Sequence, residues 1–351
     1  MKRYSKSIKI GNTFIGGENS ISVQSMTNTK TEDINATINQ IRELEDIGCD
    51  IIRVAVPNHE AAMAIKDIKK MIKIPLVADI HFDYKLALES IKNGADKIRI
   101  NPGNIGSKHK LEKVIIAAKR SQIPIRIGIN AGSLERSILE KFGSPSSDAM
   151  IESALINIKL IESFEFDQIV VSIKSSNVSD TIKSYAKLSK MTDYPLHLGI
   201  TESGTEKSGI IKSSIGIGCL LFQGIGDTIR VSLTGDPKKE IIVAKEILKS
   251  LGLLKNGIEI ISCPTCGRCN VDLINIANTI ENEINKLSTK KRIKIAVMGC
   301  AVNGPGEAKD ADIGIAGGEG EFLLFIKGKP IGKISENSVI DEFIGEIKKL
   351  L

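Results

Sequence analysis

The chain has 351 residues, of which 42% are hydrophobic and 26% are charged, and its formal net charge is +6. This length buries a large core and allows one large domain followed by a smaller one. The mild positive charge, the 4% aromatic content and the lack of tryptophan argue against a nucleic-acid-binding protein, and no apolar run approaches the ~20 residues of a membrane span.

β-Branched runs alternate with amphipathic helical patterns from about residue 20 to residue 250. Eight strands are predicted, at 21–26, 50–56, 76–80, 97–101, 125–130, 168–174, 196–201 and 228–234. Hydrophobic strands separated by helices indicate parallel strands that are covered by helices. Eight such units in ~230 residues predict a (β/α)8 TIM barrel, which we assign to residues 1–250 as a substrate-binding domain.

The pattern changes after a predicted linker at 251–257. Strands are predicted at 258–261, 293–298, 313–316, 322–327 and 331–334, and helices at 271–287 and 339–350. This order does not repeat the barrel pattern. It predicts a small α+β domain at 258–351.

Basic residues interrupt the apolar strands of the predicted barrel. In this fold the chemistry lies at the carboxyl ends of the strands, and charged side chains are rarely buried there without a partner. Arginine binds phosphate oxygens through two parallel hydrogen bonds, and lysine adds a point charge. A diphosphate would satisfy the four cations on strands two, four, five and six, which are Arg53, Arg99, Arg126 and Lys174.

Ion pairing is the alternative interpretation of these cations. Arg53 would then pair with Asp79 and Arg99 with Asp96, as is common at barrel rims. The recurrence of cations on four strands favours an anion-binding pocket.

Three further polar residues lie near strand ends. Glu202 ends strand seven and is the candidate general acid or base, although an ion pair with Lys174 or Arg126 would explain it equally well. Asn130 ends strand five, and His81 follows strand three either as a pocket residue or as a hydrogen-bonded core histidine.

Four of the six cysteines are clustered. Cys263, Cys266 and Cys269 have C-x2-C-x2-C spacing and Cys300 follows a later strand, which suits thiolate ligation of a 4Fe–4S cluster in a reducing, cytoplasmic compartment. Zinc ranks second, because a zinc ribbon prefers two C-x2-C pairs. Glu307 ends a glycine-rich loop and could replace one thiolate, so that spacing leaves Cys269 and Glu307 open as the fourth ligand.

Six motifs are distinctive when taken together. Three of them are Ser-Cys-Pro-Thr-Cys-Gly-Arg at 262–268, Met-Gly-Cys-Ala-Val-Asn-Gly-Pro-Gly-Glu at 298–307 and Ile-Arg-Ile-Asn-Pro-Gly-Asn at 98–104. The others are Val-Gln-Ser-Met-Thr at 23–27, Ala-Asp-Ile-His-Phe at 78–82 and Thr-Glu-Ser-Gly at 201–204. With these motifs the chain resembles the bacterial 4-hydroxy-3-methylbut-2-enyl diphosphate synthase family, and the resemblance covers essentially the whole chain.

The resemblance implies an oxidoreductase of the methylerythritol phosphate route to isoprenoid precursors. Such an enzyme opens the ring of 2-C-methyl-D-erythritol 2,4-cyclodiphosphate and dehydrates it to (E)-4-hydroxy-3-methylbut-2-enyl diphosphate. It uses two single-electron transfers through a 4Fe–4S cluster, with reduced flavodoxin or ferredoxin as the donor. It is also a homodimer, in which the cluster domain of one chain covers the barrel of the other.

The resemblance also implies residue roles. The expected cluster ligands are Cys263, Cys266, Cys300 and Glu307, with Cys269 as a bystander. Glu202 and Glu307 are the expected catalytic residues. The expected substrate-binding residues are Arg53, Arg99, Arg126, Lys174, Asn130, His81 and Asn303.

Two other function classes fit parts of the sequence. An iron–sulfur electron carrier or redox sensor would explain the cysteines but would not explain the cations of the predicted barrel. A zinc-stabilised barrel lyase that acts on a phosphosugar would explain the cations and would hold zinc instead of a cluster.

Overall fold

A computed structural model describes residues 2–254, 256–287, 289, 291–300, 306 and 308–351. The chain forms two compact units, Met1–Leu251 and Gly252–Leu351. Across the described residues, no helix is long and apolar enough to cross a membrane.

The first unit begins with a short hairpin that the sequence analysis did not predict. Its strands are β1 (Ile8–Ile10) and β2 (Thr13–Ile15). Its three isoleucines pack against Ile51, Val77 and Val170, which lie near the start of barrel strands. The hairpin therefore closes the end of the barrel opposite the carboxyl ends of the strands. Strands of three residues are too short to produce a recognisable alternating pattern.

The eight parallel strands predicted from the sequence form a nearly closed barrel. They are β3 (Ser22–Met26), β4 (Ile51–Ala55), β5 (Leu76–Asp79), β6 (Lys97–Ile100), β7 (Ile125–Asn130), β8 (Ile169–Lys174), β9 (His197–Leu198) and β10 (Thr228–Ile229). Their order is β8-β7-β6-β5-β4-β3-β10-β9, and a parallel bridge between Val171 and Leu196 joins the two ends. The predicted TIM barrel is confirmed.

Helices cover the outside of the barrel. They are α1 (Ile34–Asp46), α2 (His59–Met71), α3 (Tyr84–Lys92), α4 (Pro102–Ile105), α5 (Lys108–Ser121), α6 (Arg136–Phe142), α7 (Ser147–Glu162), α8 (Val178–Leu188), α9 (Glu206–Phe222) and α10 (Pro237–Ser250). Side-chain caps define several starts: Asp33, Asn58 and Asp236 each accept a backbone N–H from the first turn of the helix that follows. Each cap satisfies a donor that the helix itself leaves unpaired.

In the part of the second unit that the structure describes, a five-stranded mixed sheet packs with two long helices. The strands lie in chain order as β11 (Gly257–Ser262), β12 (Arg292–Met298), β13 (Ile313–Gly317), β14 (Glu321–Ile326) and β15 (Lys329–Ser335). β11, β12 and β13 are parallel, whereas β14 and β15 pair antiparallel. The apolar faces of α11 (Leu273–Ile284) and α12 (Val339–Leu350) pack onto this sheet around Phe322 and Phe343.

Candidate active site

Alternation along the barrel strands determines which side chains point inward. Successive side chains face opposite sides of a strand. The register pairs Arg53 with Val77, and Asp79 with both Ala55 and Arg99, so Arg53, Asp79 and Arg99 all face the barrel interior. The cavity at the carboxyl ends of the strands is lined by Arg53, Asp79, His81, Arg99, Arg126, Asn130, Ser172, Lys174, Thr201, Arg230 and Ser232. Six of the predicted substrate-binding residues thus meet there: the four predicted cations, His81 and Asn130.

Asp79 is the carboxylate that organises two of the cations. Its Oδ1 accepts a hydrogen bond from Arg99 Nη1 at 3.2 Å, and its Oδ2 lies 3.8 Å from Arg53 Nε. Burial opposes its ionisation, but the neighbouring arginines outweigh burial and lower the pKa of Asp79 to about 2. Asp79 is therefore ionised at neutral pH, holds the Arg99 guanidinium by a hydrogen bond and forms an ion pair with that of Arg53.

The alternative pairing of Arg99 with Asp96 is wrong. The carboxylate of Asp96 accepts hydrogen bonds from Lys69 Nζ at 2.6 Å and from the backbone N–H of Leu76 at 2.7 Å. Neighbouring positions on a strand face opposite sides, so adjacency to Lys97 does not bring Asp96 toward the barrel interior.

Arg126 and Lys174 lie in the same cavity without a carboxylate partner among the described residues. The side chain of Arg126 is 1% exposed, and its Nη1 donates to Gln24 Oε1 at 3.2 Å. Burial, reinforced by Arg53 and Arg99, lowers the pKa of Arg126. A guanidinium nevertheless keeps its proton at neutral pH. Because this buried positive charge has no carboxylate partner among the described residues, it favours the binding of an anion.

Two glycines make room for these cations. A Cβ at Gly128 on β7 would lie 2.4 Å from Arg99 Nε, and a Cβ at Gly199 would lie 2.7 Å from Lys174 Nζ. Sequence reasoning did not identify either glycine, because the close approach involves residues that are distant in the chain. A residue without a side chain is therefore needed at both positions to accommodate the two cations.

The substitution Gly128→Ala should displace the Arg99 guanidinium and raise the KM for an anionic substrate by about 10-fold. The added methyl group overlaps Arg99, and overpacking of this kind costs about 1–3 kcal/mol. Steady-state kinetics and thermal unfolding measure the two effects. Gly132→Ala is the control, because a Cβ there would meet nothing within 4 Å. Equal KM values for the two variants would contradict the steric role of Gly128.

Arg230 is a pocket cation that the sequence analysis missed. It lies within the predicted strand 228–234, where the apolar run Thr-Ile-Arg-Val carries the same signal as Ile-Ile-Arg-Val around Arg53. In the structure β10 ends at Ile229, and Arg230 follows it with its Nη2 3.6 Å from the buried carboxylate of Glu240. The charge pattern of the sequence was sufficient to find this residue.

Glu202, His81 and Asn130 have different surroundings. Glu202 is exposed, has a φ of 51° and follows Thr201 but does not itself line the cavity. Within the described residues it forms no ion pair with Lys174 or Arg126. In the amide orientation that satisfies its neighbours, Asn130 accepts from Arg99 Nη2 at 3.3 Å, and His81 is an exposed residue at the cavity rim.

Lys97 lies one layer deeper than Arg99 on the same face of β6. It is fully buried, and its Nζ has no hydrogen-bond partner in the part of the chain that the structure describes. Burial first, and then repulsion by Arg126 and Arg53, lowers the pKa of Lys97 well below its ordinary 10.5. Folding therefore disfavours the ammonium form of Lys97 relative to the unfolded chain.

Replacing Lys97 by methionine should raise the thermal midpoint by about 3 °C at pH 7, because a near-isosteric apolar chain removes an unpartnered buried amine. Between the lowered pKa and about 10.5, the unfolded chain binds the extra proton, so wild-type stability rises with pH. The gain from Lys97→Met should thus shrink from pH 7 to pH 9.5. Calorimetry at both pH values measures the thermal midpoints, with the exposed Lys66→Met as the control. A midpoint of Lys97→Met below that of the wild type at pH 7 would contradict the prediction.

The thiols of the second unit lie at one edge of its sheet. β11 and β12 are parallel with Ser262 opposite Val297, so that Cys263 and Gly299 follow the same ends of adjacent strands. The backbone N–H of Gly299 donates to Cys263 Sγ at 3.2 Å. A Cβ at Gly299 would lie 2.7 Å from Cys269 Sγ, which itself donates to the carbonyl of Val271.

All six cysteines are free, and Cys300 follows Gly299 directly. Sulfur donors at a strand end, one of which accepts a backbone N–H, suit an iron–sulfur cluster, because hydrogen bonds to the sulfurs help to set the reduction potential of such clusters. No three ligating side chains among the described residues surround a common point. The expected residues Asn303 and Glu307 lie outside the described residues.

The fold and the pocket define the class of this protein: a TIM barrel with a cation-lined cavity at the carboxyl ends of its strands, followed by a thiol-bearing α+β unit. Residues 5–245 match the family model of the GcpE TIM-barrel domain, and residues 259–349 match that of the GcpE protein C-terminal domain. The chain belongs to the GcpE family. The family resemblance seen in the motifs is thereby confirmed.

Named relatives share nearly the full length of the chain. A 4-hydroxy-3-methylbut-2-en-1-yl diphosphate synthase (flavodoxin) from Ruminiclostridium cellulolyticum is 60% identical, covering 99% of this chain and 98% of its own. A protein of the same name from Caldicellulosiruptor saccharolyticus is 63% identical, covering 98% and 99%. Dihydropteroate synthase from Stenotrophomonas maltophilia shares the barrel fold alone, with a TM-score of 0.54, 13% identity and coverage of 71% of this chain and 97% of its own.

Proposed function

We propose that this chain is a flavodoxin-dependent 4-hydroxy-3-methylbut-2-enyl diphosphate synthase that reductively opens and dehydrates 2-C-methyl-D-erythritol 2,4-cyclodiphosphate. The observation that carries the proposal is the excess of cations over carboxylates in one barrel cavity. Arg126 and Lys174 have no acidic partner among the described residues, and Asp79 serves both Arg53 and Arg99. A substrate with two linked phosphates supplies the missing negative charge.

In this proposal, the cavity residues bind and orient the diphosphate. Arg53 and Arg99 are held by Asp79, so their guanidinium groups need little reorganisation when phosphate oxygens arrive. Arg126 lies deep in the cavity and Lys174 adds a further cation at the end of β8, while Arg230 extends the predicted set. His81, Asn130 and the hydroxyls of Ser172, Thr201 and Ser232 complete the lining.

The α+β domain predicted at residues 258–351, which lies within the second unit, is proposed to hold a 4Fe–4S cluster through Cys263, Cys266, Cys300 and Glu307. Residues 1–250 are proposed as the substrate-binding domain. When bound, the cluster supplies the two single electrons that loss of the substrate's C3 oxygen as water requires. The role of the chain's own residues is to present thiolates at the carboxyl ends of β11 and β12 and to donate the Gly299 N–H to Cys263 Sγ.

Glu202 is proposed to supply the proton for the departing oxygen. It follows Thr201, which lines the cavity, and its left-handed backbone is uncommon for a residue with a Cβ. Local strain of this kind occurs often at functional sites. Glu307 and Asn303 are proposed as further contributors from the glycine-rich loop.

The partners follow from the same proposal. The names of the relatives specify flavodoxin, and reduced flavodoxin is proposed as the electron donor of this chain, with ferredoxin as the alternative. A homodimer is proposed as the working form, and light scattering of the purified chain measures it. Six free thiols are consistent with work in the reducing cytoplasm.

Anaerobically purified protein tests the proposal in two steps. Iron and sulfide analysis should find a cluster and no stoichiometric zinc, which separates the synthase from a zinc-stabilised lyase. The cyclic diphosphate should then oxidise the reduced protein and appear as the linear diphosphate. Reduced protein that stays reduced with the substrate would point instead to an electron carrier.

A further inference from the structure

Glu240 is a buried carboxylate that no proposed catalytic step uses. It lies in the first turn of α10 and is 5% exposed. Its Oε1 accepts the backbone N–H of Leu233 at 2.9 Å, and its Oε2 accepts Ser25 Oγ at 3.4 Å. One side chain thus connects a helix to the segment after β10 and to β3.

The remaining contact of Glu240 reaches the cavity. Its Oε2 lies 3.6 Å from Nη2 of Arg230, which lines the cavity together with Arg53 and Arg126. The second carboxylate of the cavity region, Asp79, serves Arg53 and Arg99. Arg230 therefore takes its acidic partner from a helix and not from a neighbouring strand.

A buried carboxylate is costly unless its oxygens are satisfied. Here the Leu233 N–H donates to one oxygen and the Ser25 hydroxyl to the other, and the Arg230 guanidinium lies at ion-pair distance. The first turn of a helix also favours a negatively charged side chain. The surroundings of Glu240 therefore suit a buried carboxylate beside Arg230.

We propose that Glu240 is a positioning residue that holds the guanidinium of Arg230 in the orientation that receives the substrate diphosphate. The inference rests on the proposed function and adds a residue to it. An arginine side chain has several rotatable bonds, and fixing them before the ligand arrives removes part of the entropic cost of binding. The contact with Glu240 already restricts the Arg230 side chain in the free protein, so less conformational entropy is lost when the ligand binds.

Positioning and simple charge compensation predict opposite results. Glu240 weakens the positive potential of the cavity, so removing its charge alone would strengthen anion binding. Loss of a fixed Arg230 would weaken it. The sign of the change in affinity therefore separates the two roles.

Inorganic pyrophosphate is the probe, and isothermal titration calorimetry of the full chain measures its Kd. Glu240→Gln keeps an oxygen for the Leu233 N–H but loses the charge, and it should bind pyrophosphate about 10-fold more weakly. Glu240→Asp keeps the charge but shortens the reach, and it should weaken binding in the same direction. In an Arg230→Met background, Glu240→Gln should cause no further loss, because the group it positions is gone.

Glu246→Gln is the matched control, since it removes an exposed carboxylate from the same helix. Tighter binding by Glu240→Gln, an unchanged Kd with only a lowered thermal midpoint, or losses that add to that of Arg230→Met would each overturn the positioning role. Wild-type protein that does not bind pyrophosphate would contradict the proposed diphosphate pocket together with this inference. Wild-type binding with additive losses contradicts the role of Glu240 alone.

Discussion

Replacing Arg126 by methionine should weaken pyrophosphate binding by about 100-fold or more and should leave the thermal midpoint unchanged or higher. The loss follows from the position of Arg126, which is almost fully buried in the cavity and has a single described side-chain partner, the neutral Gln24. A buried, charge-assisted contact to phosphate is worth about 2–5 kcal/mol, or about 30-fold to 5,000-fold in affinity, and the expected loss lies within that range.

The expected stability of this variant has a separate cause. Arg126 is a cation in an interior that also contains Arg53, Arg99 and Lys174, and burial with repulsion lowers its pKa. Replacing an uncompensated buried charge by an apolar chain of similar length removes a desolvation penalty. A structural arginine would behave in the opposite way and lose several degrees when replaced.

Calorimetric titration with pyrophosphate and a thermal melt of the same preparation measure both quantities. Arg120→Met, at the exposed end of α5, is the control for loss of one positive charge. An Arg126→Met variant that binds like wild type, or that melts well below it, would show that Arg126 supports the fold instead of the ligand.

The second large effect concerns the thiols. Cys263→Ser and Cys300→Ser should each reduce the iron content from about four atoms per chain to near zero and abolish turnover, whereas Cys269→Ser should keep both. Cys263 lies at the end of β11 with the Gly299 N–H directed at its sulfur. Cys269 instead donates to the carbonyl of Val271.

The three variants are matched, because each replaces one sulfur by oxygen within the same unit. Iron and sulfide analysis, the visible absorption spectrum and substrate turnover are measured on anaerobic preparations. If Cys269→Ser lost the visible absorption, the cluster would have four cysteine ligands and Glu307 would leave the ligand set. If Cys263→Ser retained its full iron content, Cys263 would not be a ligand of the cluster.

Most of the architecture was predictable because it depends on local pattern. Continuous apolar runs separated by amphipathic helices predicted the eight-stranded barrel, and most predicted strands agree with the structure within one residue at each end. The predicted strands 196–201 and 228–234 are longer than β9 and β10. Their later residues leave the sheet and form the cavity wall, where Thr201, Arg230 and Ser232 lie.

The sequence by itself determined which residues are available for chemistry. Basic side chains within apolar strands must face either a partner or a ligand, and cysteines at C-x2-C-x2-C spacing must lie close together, because both conclusions need only short-range geometry. Tertiary structure decided the partners: Asp79 serves Arg53 and Arg99, Gly128 makes room for Arg99, and Glu240 reaches Arg230 from a helix. These contacts depend on angstrom-scale distances between separate elements, and the periodicity of a single element carries no information about such distances.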